Sequence, residues 1–207
     1  MPASLLRDDA DWIRTFRGAE LATGIRPALG VVEALGDLLG LIRQHEGGYN
    51  SVNRGRAGDT PGGWPGLESM TLGQVLTAQE RGHVFAVGAY QFIPSTLRLV
   101  MSELGVVGTT VFSPPVQDAL AVGLLLGAKR RNLSGYLRGK HADLDAAQLD
   151  LAREWASIPG PDGRGVYDGD AAGNRAHADM ERTRAALASA RQRLGGRTLR
   201  DIETPSR

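Results

Sequence analysis

The sequence predicts a mainly α fold with a small lobe made of loops and a hairpin. Apolar residues recur at three- and four-residue intervals along most of the chain, which is the period of an amphipathic helix. The two-residue alternation typical of strands is scarce. Two stretches rich in glycine and proline, 47–69 and 158–173, interrupt the helical pattern. We expect one domain over 30–195, an N-terminal extension over 1–29 and a C-terminal tail over 196–207.

Capping signals set the order of the predicted helices. Thr71 and Gln74 form a capping-box pattern, and Gly105 follows an apolar stripe that Pro94 opens. A short hairpin is predicted across 49–52, inside the first glycine-rich stretch. In chain order the predicted helices are about 10–23, the segment ending at Glu46, the segment between Thr71 and Gly82, 94–104, a segment starting after Ser113, one from Asp143 or Asp145 to Trp155, and 176–194.

The helix after Ser113 is predicted to be the buried central helix. It is apolar over most of its circumference, and Gly123 and Gly127 create a groove in which another helix can pack closely. The helix opened by Pro94 carries a stripe that we assign to the core, formed by Leu97, Val100, Met101 and Leu104.

Composition excludes several classes of function. The 207 residues contain 24 Lys and Arg against 23 Asp and Glu, so the chain lacks the basic field of a nucleic-acid binder. Basic runs at 129–131, 138–140 and 182–200 are interpreted as solvated helix faces. The absence of cysteine excludes disulfides, thiolate zinc sites and a cysteine nucleophile.

The N-terminal residues lack an apolar run of signal-peptide length. No uninterrupted apolar segment approaches the roughly 20 residues of a membrane span, so no stable membrane insertion is expected. We therefore expect synthesis in the cytoplasm. Action elsewhere would require release or delivery by another machine.

Glu46 is the leading candidate for a catalytic residue. It extends a stripe of apolar residues at helical spacing and precedes a pair of glycines, which ends the helix. Burial on that stripe would raise the pKa of the carboxyl group, as a general acid near neutral pH requires. A glutamate in a last helical turn is also commonly a solvated residue without a role. The stripe consists of Val31, Leu35, Leu38, Leu39, Ile42 and Glu46.

Two segments begin like motifs that bind a metal or a nucleotide, but neither completes the motif. The segment 45–49 begins like the zinc-protease helix motif, but Tyr49 occupies the position of the second histidine. The glycine-rich segment 55–60 lacks the Gly-Lys-Ser/Thr ending of a phosphate-binding loop. We predict neither a metal nor a cofactor. The other histidines are interpreted as surface or packing residues: His83, His141 and His177.

Four segments resemble, in the same order, those of lambda-type phage endolysins, a branch of the lysozyme superfamily. The resemblance covers about 35–170, and the segments are specific as a series rather than singly. They are His45-Glu46-Gly47, similar to the catalytic helix end; Val87-Gly88-Ala89-Tyr90-Gln91, similar to the Gly-x-Tyr-Gln turn; Phe112-Ser113-Pro114 with Gln117-Asp118-Ala119; and Trp155-Ala156-Ser157-Ile158-Pro159-Gly160.

The resemblance implies a two-lobed, lysozyme-like catalytic domain over 30–195 with a substrate cleft. The implied reaction cleaves the β-1,4 bond between N-acetylmuramic acid and N-acetylglucosamine in peptidoglycan glycan strands, with Glu46 as general acid. In lambda-type enzymes the C6 hydroxyl of the sugar then attacks, giving a 1,6-anhydro product, and the same glutamate acts as base. A hydrolytic lysozyme would instead need a second carboxylate, for which Asp59 and Glu68 are candidates.

Further site residues are predicted around the acid. Tyr90 and Gln91 lie in the turn that the resemblance places on the cleft floor, and Tyr49 and Asn50 flank the acid. Ala89 departs from the family pattern, which usually has arginine there. The candidate substrate-binding set is Tyr49, Asn50, Asp59, Glu68, Tyr90 and Gln91, with Trp64 and Tyr167 at the lips of the cleft and Trp155 assigned to the core.

Two matters stay open at this stage. The function has alternatives: a non-catalytic lysozyme-like module that binds glycan or serves as a structural piece, although the glutamate argues against it; a helical DNA- or protein-binding domain, which would have little use for the glycine-rich loops; and an enzyme that hydrolyses chitin. The extension over 1–29 has no counterpart in the resemblance and is a candidate for docking on a virion or a delivery system.

Overall fold

The computed structural model describes residues 29–55 and 62–196. About half of these residues are helical, and a small three-stranded antiparallel sheet accompanies the helices, so the mainly α prediction with a minor β component is confirmed. Asp59, the predicted helix at 10–23, nearly all of the extension and the tail beyond 196 lie outside the described residues.

The helices follow the predicted order with two differences. The helix ending at Glu46 is divided at Leu35, and a short helix that was not predicted follows the central one. In chain order they are α1 (Leu29–Ala34), α2 (Gly36–Glu46), α3 (Leu72–Glu80), α4 (Pro94–Leu104), α5 (Pro114–Leu126), α6 (Arg131–Leu137), α7 (Leu144–Ala152) and α8 (Met180–Gly196). A single 3₁₀ turn covers Leu67–Ser69.

The sheet has the order β2-β1-β3, with β1 (Ser51–Asn53) between β2 (Gly62–Gly63) and β3 (Ala86–Val87). Val52 pairs with Gly62 on one side and Val87 on the other, both antiparallel. The predicted hairpin at 49–52 therefore overlaps the central strand, but its partner strand lies farther along the chain than predicted. The sheet attaches the residues after Glu46 to the turn that begins at Val87.

The predicted central helix is confirmed as α5. Nearly all of its residues are buried, including Gln117, which has no exposed surface. A Cβ atom on Gly123 would lie 2.8 Å from both Leu104 Cδ1 and Val100 Cγ2. The glycine therefore permits the close approach of α4 and α5, as its position in the sequence predicted.

The capping signals are also confirmed. The Thr71 side chain accepts the Gln74 backbone N–H while the Gln74 side chain accepts the Thr71 N–H. The Asp143 side chain accepts the Ala146 N–H at the start of α7. That helix ends at Ala152 rather than at Trp155, which is 3% exposed and belongs to the core.

Within the described part of the chain, none of the helices combines the length and the apolarity needed to cross a membrane.

Candidate functional site

An open cleft of about 800 Å³ lies at the C-terminal end of α2. Residues of the sheet, Gln91 in the following turn and residues of the segments 153–157 and 167–177 line it. Glu46 lies on the wall of the same cleft. The structure thus brings together the two residues that the sequence analysis singled out as acid and turn.

The end of α2 fixes the position of Glu46. The Gly47 backbone N–H donates to the carbonyl of Arg43, and Gly47 adopts φ +140°, a conformation that residues with side chains rarely take. A Cβ atom at Gly47 would lie 2.6 Å from Ser51 Oγ, so only glycine fits there. The same Ser51 Oγ accepts a hydrogen bond from the Gly48 backbone N–H. The helix therefore ends directly after the glutamate, and the chain turns into β1.

The Glu46 carboxyl group is hydrogen-bonded to Ser157, which lies far along the chain. Ser157 Oγ donates a 2.5 Å hydrogen bond to Glu46 Oε1. Burial raises the pKa of Glu46 above its ordinary value of 4.5, and the Ser157 hydrogen bond and the charge of His177 oppose that rise without cancelling it. A carboxyl group with a raised pKa in an open cleft is suited to donate a proton.

Two histidines lie beside this carboxyl group. The ring centroids of His45 and His177 are 4.9 Å apart in an edge-on contact, and both residues line the cleft. Burial, His177 and Arg182 lower the pKa of His45, which favours a neutral imidazole. The His177 backbone N–H donates to the Ser157 carbonyl, which joins the segments 153–157 and 167–177. His177 is exposed, which agrees with its interpretation as a surface residue, but it also lines the cleft.

The turn after β3 holds Gln91 in an unusual backbone conformation. Gln91 is the one non-glycine residue with positive φ in the described ranges, at +47°. Its side-chain amide donates to the Gly88 carbonyl at 2.8 Å. A left-handed conformation costs a residue with a side chain on the order of 1–3 kcal/mol and recurs at functional sites. Gln91 is partly exposed on the cleft wall.

Gln117 on α5 holds that turn from behind. Its Oε1 accepts the Ala89 N–H at 2.9 Å, while its Nε2 donates to the carbonyls of Tyr49 and Phe112, each at 3.0 Å. A Cβ atom at Gly88 would lie 2.3 Å from Gln117 Oε1, so the turn requires glycine there. One buried amide therefore joins the segment after Glu46 to the turn that carries Gln91.

Asp118 provides a second connection. Its Oδ1 accepts hydrogen bonds from the hydroxyl groups of Tyr90, at 2.6 Å, and Tyr49, at 3.0 Å, and from Arg43 at 3.1 Å. Burial and Asp118 raise the pKa of Tyr90. Arg43 belongs to α2, so this cluster connects the helix that carries Glu46 to the turn and to the central helix.

The other predicted substrate-binding residues are placed differently. Tyr90 borders the cleft but is only 1% exposed, and its hydroxyl group is bound by Asp118. Tyr49 points its hydroxyl group to the same aspartate. Asn50 Oδ1 accepts the Glu68 N–H at 3.1 Å. Of the described residues that line the cleft, none is Tyr49, Asn50 or Glu68.

Sequence reasoning missed two carboxyl groups of the cleft. Glu154, with 6% side-chain exposure, forms ion pairs with Lys129 and Arg130. Asp170 accepts the N–H groups of Ala172 and Asn174. Glu154 is thus ion-paired and Asp170 is hydrogen-bonded with neighbouring groups. No three His, Asp or Glu side chains in the described ranges converge to hold a metal ion.

Replacing Glu46 by glutamine is expected to stabilise the fold more at pH 8 than at pH 4. Because burial raises the pKa of Glu46 above 4.5, the stability that this group contributes is present below the unfolded pKa and is lost as pH rises through the folded pKa. Glutamine stays neutral throughout. Thermal unfolding of both proteins across this range checks the expectation, and a Tm difference that does not change with pH would contradict it.

Comparisons of this chain with protein-family models, with curated proteins and with solved structures find no match.

Proposed function

We propose that this protein is a peptidoglycan-degrading enzyme that cleaves the β-1,4 bond between N-acetylmuramic acid and N-acetylglucosamine, with Glu46 as general acid and base. The observation that carries the proposal is the Glu46 carboxyl group, whose pKa burial raises, on the wall of an open cleft shared with Gln91. The contacts among the endolysin-like segments support it, since Gln117 and Asp118 bind the turn and the residues flanking the acid. A two-lobed, lysozyme-like domain is part of this proposal.

The first step breaks the glycosidic bond. Protonated Glu46 gives its proton to the bridging oxygen as the bond from that oxygen to C1 of the muramic residue breaks. The N-acetylglucosamine side leaves with a free C4 hydroxyl group, and C1 acquires oxocarbenium character. Glu46 is left as a carboxylate, which the Ser157 hydroxyl group stabilises by its hydrogen bond to Oε1.

The second step closes a ring within the same sugar. The C6 hydroxyl oxygen of the muramic residue bonds to C1, and its proton passes to the Glu46 carboxylate. The acid is thereby regenerated, no water is consumed, and the product ends in 1,6-anhydro-N-acetylmuramic acid. One carboxyl group suffices for both steps. Among the described residues of the cleft, Glu154 and Asp170 are both bonded to neighbouring donors, which supports a reaction with one carboxyl group; Asp59, a predicted candidate for a second carboxylate, lies outside the described residues.

Gln91 is proposed to orient the sugar opposite the acid. Its amide Nε2 is bound to the Gly88 carbonyl, which fixes the side chain. An amide held in this way can present its remaining hydrogen-bonding groups to a substrate N-acetyl group. The left-handed backbone at this position is consistent with a residue whose conformation is set by its function.

The mass of the products tests the proposal. Purified peptidoglycan incubated with the full chain is expected to release muropeptides that are lighter by one water than their reducing counterparts. Release of muropeptides with reducing ends would mean that the protein is a hydrolytic lysozyme and not a lytic transglycosylase. Failure to release products from peptidoglycans of several stem types would overturn the enzymatic proposal and favour a glycan-binding module.

Ser157→Ala is expected to move the high-pH limb of the activity profile to higher pH. The Ser157 hydrogen bond lowers the pKa of Glu46, so its removal raises that pKa further, and the acid stays protonated to higher pH. The maximum of kcat/KM should fall by no more than about tenfold, the value of one hydrogen bond to a charged group. The pH dependence of kcat/KM measures both effects.

Ser189→Ala is the matched control, because the Ser189 hydroxyl group donates to Asp37 on the exposed surface. It should leave the profile unchanged. If the high-pH limb of the Ser157→Ala profile lies at the wild-type pH or below it, the serine does not lower the pKa of the acid.

A further inference from the structure

Four cationic side chains line the cleft. Lys129, Arg130, Arg153 and Arg175 all line it, and we call these four residues the basic wall. Among the described lining residues the carboxyl groups are Glu46, Glu154 and Asp170. The lining thus has four cationic side chains against three carboxyl groups, and burial raises the pKa of one of these, Glu46.

The inner part of the basic wall is rigidly held. Lys129 Nζ lies 2.7 Å from one Glu154 oxygen and also donates to Thr96 Oγ1, while Arg130 Nε lies 2.9 Å from the other Glu154 oxygen. A single carboxylate thus faces two cations, which leaves an excess of positive charge. The basic run at 129–131 was interpreted as a solvated helix face, but two of its members lie in the cleft with side chains 28% and 21% exposed.

The outer part of the wall is exposed to solvent. The Arg153 side chain is 46% exposed, and its contact with Asp150 is 3.4 Å long. That carboxylate also accepts the backbone N–H groups of Asn132 and Leu133 at the start of α6, so Arg153 shares it with other donors. Arg175 is an exposed lining residue of the segment 167–177, and backbone hydrogen bonds together with the charge of Arg175 lower the pKa of Asp168. Guanidinium groups at such a rim suit the two oxygens of a carboxylate.

The basic wall lies close to the proposed acid. Ser157 bonds to Glu46, and the chain from Ser157 back to Glu154 is three residues, which span at most about 11 Å when fully extended. Arg153 is the next residue. A glycan strand held at Glu46 therefore passes the basic wall with the substituents of the neighbouring sugars.

Two candidate substrates, chitin and peptidoglycan, differ in whether they carry carboxylate groups that the basic wall could bind. A chain of N-acetylglucosamine alone has no ionised group. Peptidoglycan carries carboxyl groups on its stem peptides, and a muramic residue without its peptide carries the free carboxylate of its lactyl ether. Resting on the function proposed above, we infer that the basic wall binds these carboxylates and makes the cleft selective for peptidoglycan over chitin.

Binding by an inactive full-length protein tests the inference independently of turnover. The Glu46→Gln protein is mixed with insoluble diaminopimelate-type peptidoglycan or with chitin, and the free protein is measured after sedimentation. Adding Arg153→Gln and Arg175→Gln is expected to weaken binding to peptidoglycan about tenfold or more and to leave binding to chitin unchanged. Arg98→Gln, which removes an exposed arginine paired with Glu80 away from the cleft, should change neither.

A third substrate identifies the source of the carboxylate. Glycan strands stripped of peptide by an amidase keep the lactyl carboxylate. An arginine-dependent loss that persists on stripped strands assigns the wall to the lactyl group, and one seen only with intact peptidoglycan assigns it to the stem peptide. Both results support the inference.

Other outcomes overturn it. An equal loss on chitin, no loss on either form of peptidoglycan, or no binding of the parent protein to intact peptidoglycan would show that the wall does not recognise carboxylates. Arginine-dependent binding by a protein whose wild-type form releases no muropeptides would refute the proposed reaction but leave the recognition of carboxylates intact.

Discussion

Glu46→Gln is expected to reduce the rate of muropeptide release by three orders of magnitude or more. Glutamine keeps the size of the side chain and can still accept the Ser157 hydrogen bond, but it has no proton to give to the leaving oxygen and cannot take one from the C6 hydroxyl group. Loss of one positioned acid or base costs on the order of 10²–10⁴ in rate, and here a single residue is proposed to serve in both steps.

The measurement is the initial rate of soluble muropeptide release from purified peptidoglycan, with thermal unfolding recorded for each protein. Glu80→Gln is the control, since that glutamate is paired with Arg98 on the exposed surface and is not among the described residues of the cleft. It should retain the wild-type rate. A Glu46→Gln protein that is folded and retains more than a tenth of the wild-type rate would require a different acid.

The position of Glu46 at the end of a helix could be predicted because its signals are local. Glu46 continues the apolar period of α2, and the glycine that ends the helix is the next residue, so both the burial and the position of the carboxyl group are contained in about fifteen residues of sequence. The turn with Gln91 was singled out differently, by the resemblance of the segment 87–91 to a turn of lambda-type endolysins.

The contacts of Glu46 could not be predicted, because the residues that make them come from distant parts of the chain. Ser157 is 111 positions from Glu46, and no periodicity connects them. His177 reaches the cleft because its backbone binds the Ser157 carbonyl, which is a property of the folded loop. The serine lies within the Trp-Ala-Ser segment of the resemblance, so that segment contained a signal that composition and spacing did not.

The missed helix α6 has a comparable explanation. It has seven residues, and its N-cap position is Arg130, whose side chain makes no capping hydrogen bond. Asp150, which belongs to α7, supplies the cap instead. Its carboxylate accepts the N–H groups of Asn132 and Leu133 in the first turn of α6. A helix whose N-terminus is capped by a different helix carries no start signal of its own in the sequence.

Gln117→Ala is expected to lower the free energy of unfolding by about 4 kcal/mol, the largest loss of stability that we predict. The Gln117 side chain is fully buried and binds one N–H group and two carbonyls, those of Ala89, Tyr49 and Phe112. Each buried polar group left without a partner costs about 1–3 kcal/mol, and the truncated side chain leaves a cavity as well. For a domain of this size the loss corresponds to a Tm about 10 °C lower.

A second variant separates the hydrogen bonds from the packing. Gln117→Met keeps most of the side-chain volume but supplies neither the acceptor for Ala89 nor the donors for the two carbonyls, so it should recover only the part of the loss due to the cavity. Gln44→Ala, at an exposed position of α2, should change stability by no more than about 0.5 kcal/mol. A Gln117→Met protein as stable as the wild type would mean that the hydrogen bonds of this amide do not hold the turn.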